Sequence, residues 1–224
     1  MSAFDNDTMI HAYKGHTDEL NRRLYDLKNI VTESGEPLEG NAFYVHQSLR
    51  LYPALLPKQI NLYWCGTQAR TRLCEIGFNA GHSALLLLLS GGNRVIDFTV
   101  FDIGEHKYTL PALSYIRSHY PLVRTEYVEG DSTATMPAWI QRNKPLLGTY
   151  DVVHVDGGHS EHCISNDLKN ADLLVRPSGI VVVDDTNDPG INKYVDMYLS
   201  AGYYKELRVL KTEGYQHRIL QKLV

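Results

Sequence analysis

The chain has 224 residues, a length that fits one α/β domain with an added segment. Hydrophobic residues make up 43% of it and charged residues 21%, which is typical of a globular protein and excludes a disordered or fibrous one. The formal net charge of −4 argues against a broad nucleic-acid interface, because such an interface usually needs a basic face.

The cysteines and the hydropathy of the sequence predict a cytoplasmic protein that does not span a membrane. Cys65, Cys74 and Cys163 lack C-x-x-C spacing, so the sequence suggests neither a disulfide framework nor a zinc site. The first residues have neither the basic start nor the apolar run of a secretory signal. No stretch approaches the roughly 20 apolar residues of a membrane span.

The first 65 residues are predicted to form a helical lid or cap ahead of a main domain at 66–224. A helix is expected from Thr17, with four apolar residues on one face: Leu20, Leu24, Leu27 and Val31. A second helix is expected from Ala42 to Tyr52, ending near Pro53 and Pro57. These helices could form a lid or a surface for a homo-oligomer, or could simply cover an edge of the sheet.

Apolar runs and helical patterns alternate through the rest of the chain. Strands are expected to end near residues 76, 102, 129, 156 and 185, with helices between them and a terminal hairpin built from 203–210 and 216–224 around a turn at 211–214. Alternation at this spacing predicts parallel βαβ units and an α/β fold.

A glycine turn between a strand and a helix is the most informative stretch. It reads Glu75-Ile-Gly-Phe-Asn-Ala-Gly81, and a leucine run follows. Gly77 and Gly81 permit positive φ and close approach of a ligand, and the following helix points free N–H groups at it. Dinucleotide enzymes place a glycine where this chain has Glu75. A carboxylate there suits a ligand with an ammonium group better than a pyrophosphate.

The glycine turn resembles motif I of the class I S-adenosylmethionine-dependent methyltransferases, and the resemblance extends from about Leu73 to Asp188. It implies a Rossmann-like fold with a mostly parallel seven-stranded sheet, helices on both sides and a C-terminal antiparallel hairpin. It also implies that Asp102 accepts hydrogen bonds from the ribose and that Gly130, Asp131 and Ser132 hold the adenine. The cofactor-binding residues expected on this basis are Glu75, Gly77, Asn79, Gly81, Ser83, Asp102, Gly130, Asp131 and Ser132.

Acidic residues follow each central strand and would crowd one rim of the sheet. They are Glu75, Asp102, Asp131, Asp156, Asp184 and Asp185. Each alone could be a helix cap or a turn residue, but together they would repel one another unless something positive binds among them.

Two segments, 155–160 and 183–190, look like the metal-binding strand ends of the catechol-type, divalent-metal-dependent O-methyltransferases. The Asp-Gly-Gly-His-Ser form is closest to relatives that methylate macrolide sugars. The resemblance implies that Asp156, Asp184 and Asp185 bind a metal, and hard oxygen ligands favour Mg²⁺. The catechol branch has asparagine where this chain has Asp185, which leaves Mn²⁺ and Ca²⁺ open.

His159 lies three residues after Asp156, where the catechol branch has a lysine and the sugar branch a histidine. It is therefore expected to act as the general base, beside a catalytic Asp156, because an imidazole can take a proton near neutral pH. The alternative is a helix-start residue whose ring bonds a nearby carboxylate.

The sequence thus predicts an S-adenosylmethionine-dependent O-methyltransferase that acts on a hydroxyl of a small molecule, with a divalent metal. Two alternatives stay open. A nicotinamide-dependent oxidoreductase would use a similar turn and Asp102, and a non-catalytic S-adenosylmethionine-binding module would need neither His159 nor the metal-binding acids.

Overall fold

The computed structural model describes residues 5–40, 42–212 and 216–224. The strands are β1 Arg72–Ile76, β2 Asp97–Asp102, β3 Arg124–Glu129, β4 Tyr150–Val155, β5 Val175–Val183, β6 Tyr204–Glu206 and β7 Arg218–Lys222. The α-helices are α1 Asn6–Gly15, α2 Thr17–Ser34, α3 Leu56–Gln68, α4 His82–Gly91, α5 Thr109–His119, α6 Ser132–Arg142, α7 Glu161–Leu174 and α8 Pro189–Ser200. Among these residues, no helix is long and apolar enough to cross a bilayer.

The strands form one seven-stranded sheet in the order β3-β2-β1-β4-β5-β7-β6. Neighbours from β3 to β5 are parallel, and β7 is antiparallel to both β5 and β6. This confirms the predicted Rossmann-like fold and its terminal hairpin; Glu213 and Gly214 of the predicted turn lie outside the described residues. The strand order reverses between β1 and β4, because β2 and β3 lie on one side of β1 while β4 and β5 lie on the other. Open parallel sheets bind ligands at such a point.

Alternate residues of each strand fill two separate cores. Leu73, Val152 and Val182 face the core formed with α2 to α5. Val153 and Val181 face the core formed with α6, α7 and α8. Both faces of the sheet are therefore covered, which explains why the strands are apolar runs rather than alternating patterns.

The predicted α2 is confirmed, and its four apolar residues are buried in the same core as α4 and α5. The helix covers this layer of the protein. Whether α1 and α2 also form a lid or an oligomer surface stays a prediction, as does a domain boundary at residue 65.

The predicted helix from Ala42 to Tyr52 is wrong. This stretch doubles back on itself, with a bridge between Tyr44 and Leu51 and a positive φ of 54° at Gln47. The helix lies further on, at α3, where Pro57 occupies the first turn. Proline at that position starts a helix as readily as it ends one, because the first turn has no N–H bonds to lose.

Asp151 ties the starts of three strands together. Its Oδ2 accepts the backbone N–H groups of Arg70, Thr71 and Arg72 at 2.9, 2.7 and 3.0 Å, and its Oδ1 accepts Nε of Arg176 at 2.7 Å. Burial alone would raise the pKa of Asp151, but the donors, led by the Arg72 amide and the Arg176 side chain, bring that pKa below its usual value.

We expect Asp151→Ala to lower the free energy of unfolding by about 3 kcal/mol near neutral pH, because four donors lose a buried charged acceptor. A carboxylate with a lowered native pKa stabilises the fold above its unfolded pKa of about 3.9, and that contribution is lost as the pH falls through the native value. Urea unfolding from pH 7 to pH 3 should show the gap between wild type and variant closing only at the acid end. The half-exposed Asp196, which pairs with Arg218 at 2.6 Å, is a matched control expected to cost at most about 1 kcal/mol as alanine.

Candidate active site

A cavity of about 350 Å³ opens at the carboxyl ends of the central strands, and this volume is in the range of small-molecule sites. It lies at the point where the sheet order reverses. The structure brings seven sequence-predicted residues into its lining, namely Gly77, Asn79, Asp102, Gly130, Asp131, Ser132 and Asp156. The residues named from the sequence at four separate strand ends therefore share one cavity.

The glycine turn is built around close contact between β1 and β4. Gly77 has a φ of +86°, and a Cβ there would lie 1.9 Å from the carbonyl oxygen of Asp156. Only glycine meets both conditions. The next polar residue of the turn, Asn79, donates from Nδ2 to the carbonyl oxygen of Glu39 and so holds the segment after α2 against the cavity.

Asp102 lies at the tip of β2 and fixes the turn from beside it. Its Oδ2 accepts the backbone N–H groups of Phe78 and Asn79, each at 2.8 Å. Its Oδ1 accepts the N–H of Gly104 at 2.7 Å. A carboxylate has about four acceptor positions, so capacity remains for hydroxyl donors in the cavity.

The far side of the cavity is formed by Gly130, Asp131 and Ser132. Asp131 caps α6, because its Oδ1 accepts the hydroxyl and the backbone N–H of Thr133 at 2.8 and 2.9 Å. These two bonds, the hydroxyl first, lower the pKa of Asp131. A carboxylate therefore stays ionised here beside the cavity.

A second, smaller cavity of about 70 Å³ lies beside the first, and Gly77, Asn79 and Asp156 line both. Ser83 and His82, at the start of α4, line only the smaller one. Nε2 of His82 is buried and has no hydrogen-bond partner among the residues that the structure describes, and burial lowers the pKa of its ring to about 4. The ring is thus neutral. Gly81 has a φ of +74° just before α4 and lines neither cavity.

Glu75 is placed inside the sheet, and the structure does not bring it into the lining of either cavity. Its Oε1 accepts Nδ1 of His154 on the neighbouring strand at 2.9 Å. Nε2 of the same ring lies 3.7 Å from Oδ2 of Asp184. Burial would lower the pKa of His154, but the two carboxylates raise it to about 10, so the ring is a buried cation.

Asp156, Asp184 and Asp185 follow the ends of β4 and β5. The structure brings ligand atoms of Asp156 and Asp184 within 4.8 Å of each other, whereas Asp185 does not belong to that group and pairs with His159 instead. Asp184 is buried, and Nζ of Lys58 from α3 lies 2.6 Å from its Oδ2. Although burial would raise it, Lys58 and His154 hold the pKa of Asp184 well below its usual range. Burial and then the charge of Asp184 raise the pKa of Asp156.

These acids fit a divalent ion at Asp156. Asp156 faces both cavities and forms no ion pair within the described part of the chain. Its oxygens, with those of its neighbours, are the hard ligands that Mg²⁺ and Mn²⁺ prefer. Ligand atoms of Asp156, Asp184 and His154 lie within 4.8 Å of one another, but a protonated His154 ring has no free lone pair, so the carboxylates would be the ligands.

His159 stands at the rim of the site with 57% of its side chain exposed, and its Nε2 lies 3.0 Å from Oδ2 of Asp185. The hydrogen bond to Asp185 raises the pKa of the ring. Asp185 thus bonds Nε2 of His159 and leaves the other ring nitrogen, Nδ1, free to contact a ligand.

The sequence interpretation missed Lys58, His154 and His82. His154 precedes Asp156 by two residues on a strand and so faces the same side of the sheet, a signal that could have been used. His82 follows Gly81 directly, at a helix start. No such signal marked Lys58. It lies in α3, a helix that is not predicted from the sequence because Pro53 and Pro57 indicate instead the end of a preceding one.

Comparison with known proteins decides the family. A model described as a methyltransferase domain matches residues 74–186, just over half of the 224 residues. The chain belongs to this methyltransferase family. Among curated proteins, no sequence matches that of this methyltransferase.

Solved structures share the fold of this methyltransferase. An O-methyltransferase from Bacillus cereus in complex with SAH is 20% identical, with a TM-score of 0.62 and 91% of each chain covered. The O-methyltransferase TomG from Streptomyces achromogenes, in complex with SAM, is 19% identical, with a TM-score of 0.61, covering 90% of this chain and 89% of that one. The O-methyltransferase NovP is 17% identical, with a TM-score of 0.59, covering 93% and 99%.

Proposed function

We propose that this methyltransferase transfers the methyl group of S-adenosylmethionine to a hydroxyl oxygen of a small molecule, using a divalent ion. The observation that carries the proposal is the larger cavity, in which the glycine turn, Asp102, the Asp131 segment and Asp156 face one space. The similar structures that hold SAH and SAM support the choice of cofactor.

The charges around the cavity favour S-adenosylmethionine over a dinucleotide. Five acids line it: Glu39, Asp102, Glu105, Asp131 and Asp156. Among the lining residues that the structure describes there is no lysine or arginine. A pyrophosphate would be repelled by this surface, whereas a sulfonium and an ammonium group would be attracted to it.

The larger cavity and the smaller one beside it suit different parts of that cofactor. Asp102 would accept hydrogen bonds from the ribose hydroxyls, and the segment from Gly130 to Ser132 would hold the adenine. Ser83 and the N–H groups at the start of α4 suit the carboxylate of the amino-acid end, because a helix N-terminus attracts anions. This orientation directs the sulfonium toward Asp156.

The acids beyond the sulfonium would bind the acceptor. An ion at Asp156, Asp184 and Asp185, with Mg²⁺ the preferred candidate, would act as a Lewis acid that makes the acceptor hydroxyl easier to deprotonate. We assign His159 to remove that proton and Asp185 to orient its ring. Alignment of the hydroxyl with the methyl group would supply much of the acceleration.

Calorimetry with S-adenosylhomocysteine and with NAD tests the cofactor assignment. We expect S-adenosylhomocysteine to bind with micromolar affinity and NAD to give no heat at millimolar concentration, because the acidic lining repels its pyrophosphate. Binding of NAD without binding of S-adenosylhomocysteine would instead favour an oxidoreductase. Screening hydroxyl-bearing metabolites for S-adenosylhomocysteine release would then identify the acceptor.

A further inference from the structure

A buried lysine lies inside the group of acids at the ends of β1, β4 and β5. We call this group the acidic cluster; its members are Glu75, Asp156, Asp184 and Asp185. The side chains of Lys58 and Asp184 are 5% and 1% exposed, and their charged atoms are 2.6 Å apart. Lysine is almost never buried in this way unless it is paired. Lys58 is therefore held in place by the cluster itself.

The chain places three basic side chains, Lys58, His154 and His159, against the acidic cluster. The His154 ring lies between Glu75 and Asp184, at 2.9 and 3.7 Å, and His159 lies 3.0 Å from Asp185. Lys58 adds a full ammonium charge on the buried side, away from the rim where His159 stands. The cluster can therefore exist in a folded protein without any bound ion.

A divalent ion at the same acids would meet the ammonium group of Lys58 at short range. Both cations would draw on Asp184, whose Oδ1 already accepts the backbone N–H of Asp185 at 3.0 Å. Like charges a few ångströms apart repel strongly when they are shielded from water. The ion and the ammonium group cannot both have full use of this carboxylate.

We propose that the ammonium group of Lys58 is the resident counter-ion of the acidic cluster, and that a divalent ion binds there in competition with it for Asp184. The inference rests on the proposed metal site. Lys58 then sets the metal affinity low and keeps the metal-free protein stable. If Lys58 instead positioned Asp184 as a ligand, its removal would weaken metal binding, so the two roles predict changes of opposite sign.

Titration of Mn²⁺ into the metal-free protein, followed by calorimetry, tests the inference. For Lys58→Met, which keeps the length and apolar stem of the side chain, the Kd for Mn²⁺ should fall by about tenfold or more, a change of about 1.4 kcal/mol. The melting temperature of the metal-free variant should fall below that of wild type, because Asp184 loses its partner. Saturating Mn²⁺ should raise the melting temperature of Lys58→Met by more than it raises the melting temperature of wild type.

Three further variants keep the result interpretable. Lys58→Arg retains the charge and should leave the Kd close to that of wild type. Lys58→Gln removes the charge but keeps a hydrogen-bond donor, so it should bind Mn²⁺ more tightly even if Lys58→Met does not fold. Lys193→Met removes a charge from an exposed pair with Glu161, 3.6 Å apart, and should change nothing.

An unchanged or higher Kd in both uncharged variants would overturn the inference. If neither wild type nor variants bound Mn²⁺, the inference and the metal site would fall together. The methyltransferase assignment would still be judged separately, by the binding of S-adenosylhomocysteine to the same samples.

Discussion

Replacing Asp102 with alanine should weaken the binding of S-adenosylhomocysteine by a factor of about 10²–10³, since bonds to a charged group contribute about 1.5–3 kcal/mol each. The variant would lack the acceptor that we propose for the ribose hydroxyls. It would also lack the acceptor for the N–H groups of Phe78, Asn79 and Gly104, which shape the glycine turn. The ligand would thus meet a site that is both less polar and less ordered. Calorimetry at fixed pH and ionic strength would measure the change.

Two further variants separate these contributions. Asp102→Asn keeps one carbonyl oxygen for the turn but places an amide nitrogen where the other oxygen accepts the N–H of Gly104, so its affinity should be intermediate. Glu105→Ala removes an acid from the lining of the same cavity, where it makes no bond to the turn, and should have a small effect. Equal losses for Glu105→Ala and Asp102→Ala would mean that only the total charge of the cavity matters.

The sheet could be predicted because its strands are local features of the sequence. Runs such as Ile180 to Val183 are apolar throughout, and a chain buried on both faces of a sheet requires that pattern. Gly77 and Gly81 marked the turn because each has a positive φ that other residues rarely adopt. The order of the elements then left few topologies open.

The segment before the sheet could not be predicted in the same way. Apolar residues from Ala42 to Tyr52 recur at helical spacing, yet Ala42 and Tyr44 are buried through contacts with distant parts of the chain. The ring of Tyr44 packs edge-on against that of His82 on α4. Such tertiary contacts override a weak local periodicity, and no pattern of one segment records them.

The candidate site, too, could be predicted from the sequence only in part. Acids at strand ends could be located from the sequence, but the direction of each side chain depends on its register. Glu75 lies one residue before the end of β1, so its side chain stays within the sheet and meets His154 instead of the cavity. Asp184 pairs with Lys58, which lies more than a hundred positions earlier in the sequence, so spacing along the chain cannot reveal the pair.

His159→Ala should lower the turnover number by a factor of about 10²–10⁴, the usual contribution of a positioned general base, while S-adenosylhomocysteine binds nearly as in wild type. The ring lies at the rim, outside the lining of both cavities, so its loss leaves the cofactor contacts intact. With Nε2 bonded to Asp185 at 3.0 Å, Nδ1 is the nitrogen that can take the hydroxyl proton. Single-turnover measurements with the identified acceptor would show the loss in the chemical step.

Three comparisons distinguish a base from a residue that only starts a helix. Added imidazole should restore part of the lost rate in His159→Ala, because a free base can enter the space that the side chain leaves. His162→Ala, an exposed histidine one turn further on, should turn over normally. Asp185→Asn keeps an oxygen for the proposed ion but orients His159 less well, so at saturating Mg²⁺ its turnover should fall between those of wild type and His159→Ala. Near-normal turnover of His159→Ala on its true acceptor, with no response to imidazole, would remove His159 from the reaction and leave its bond to Asp185 as its whole role.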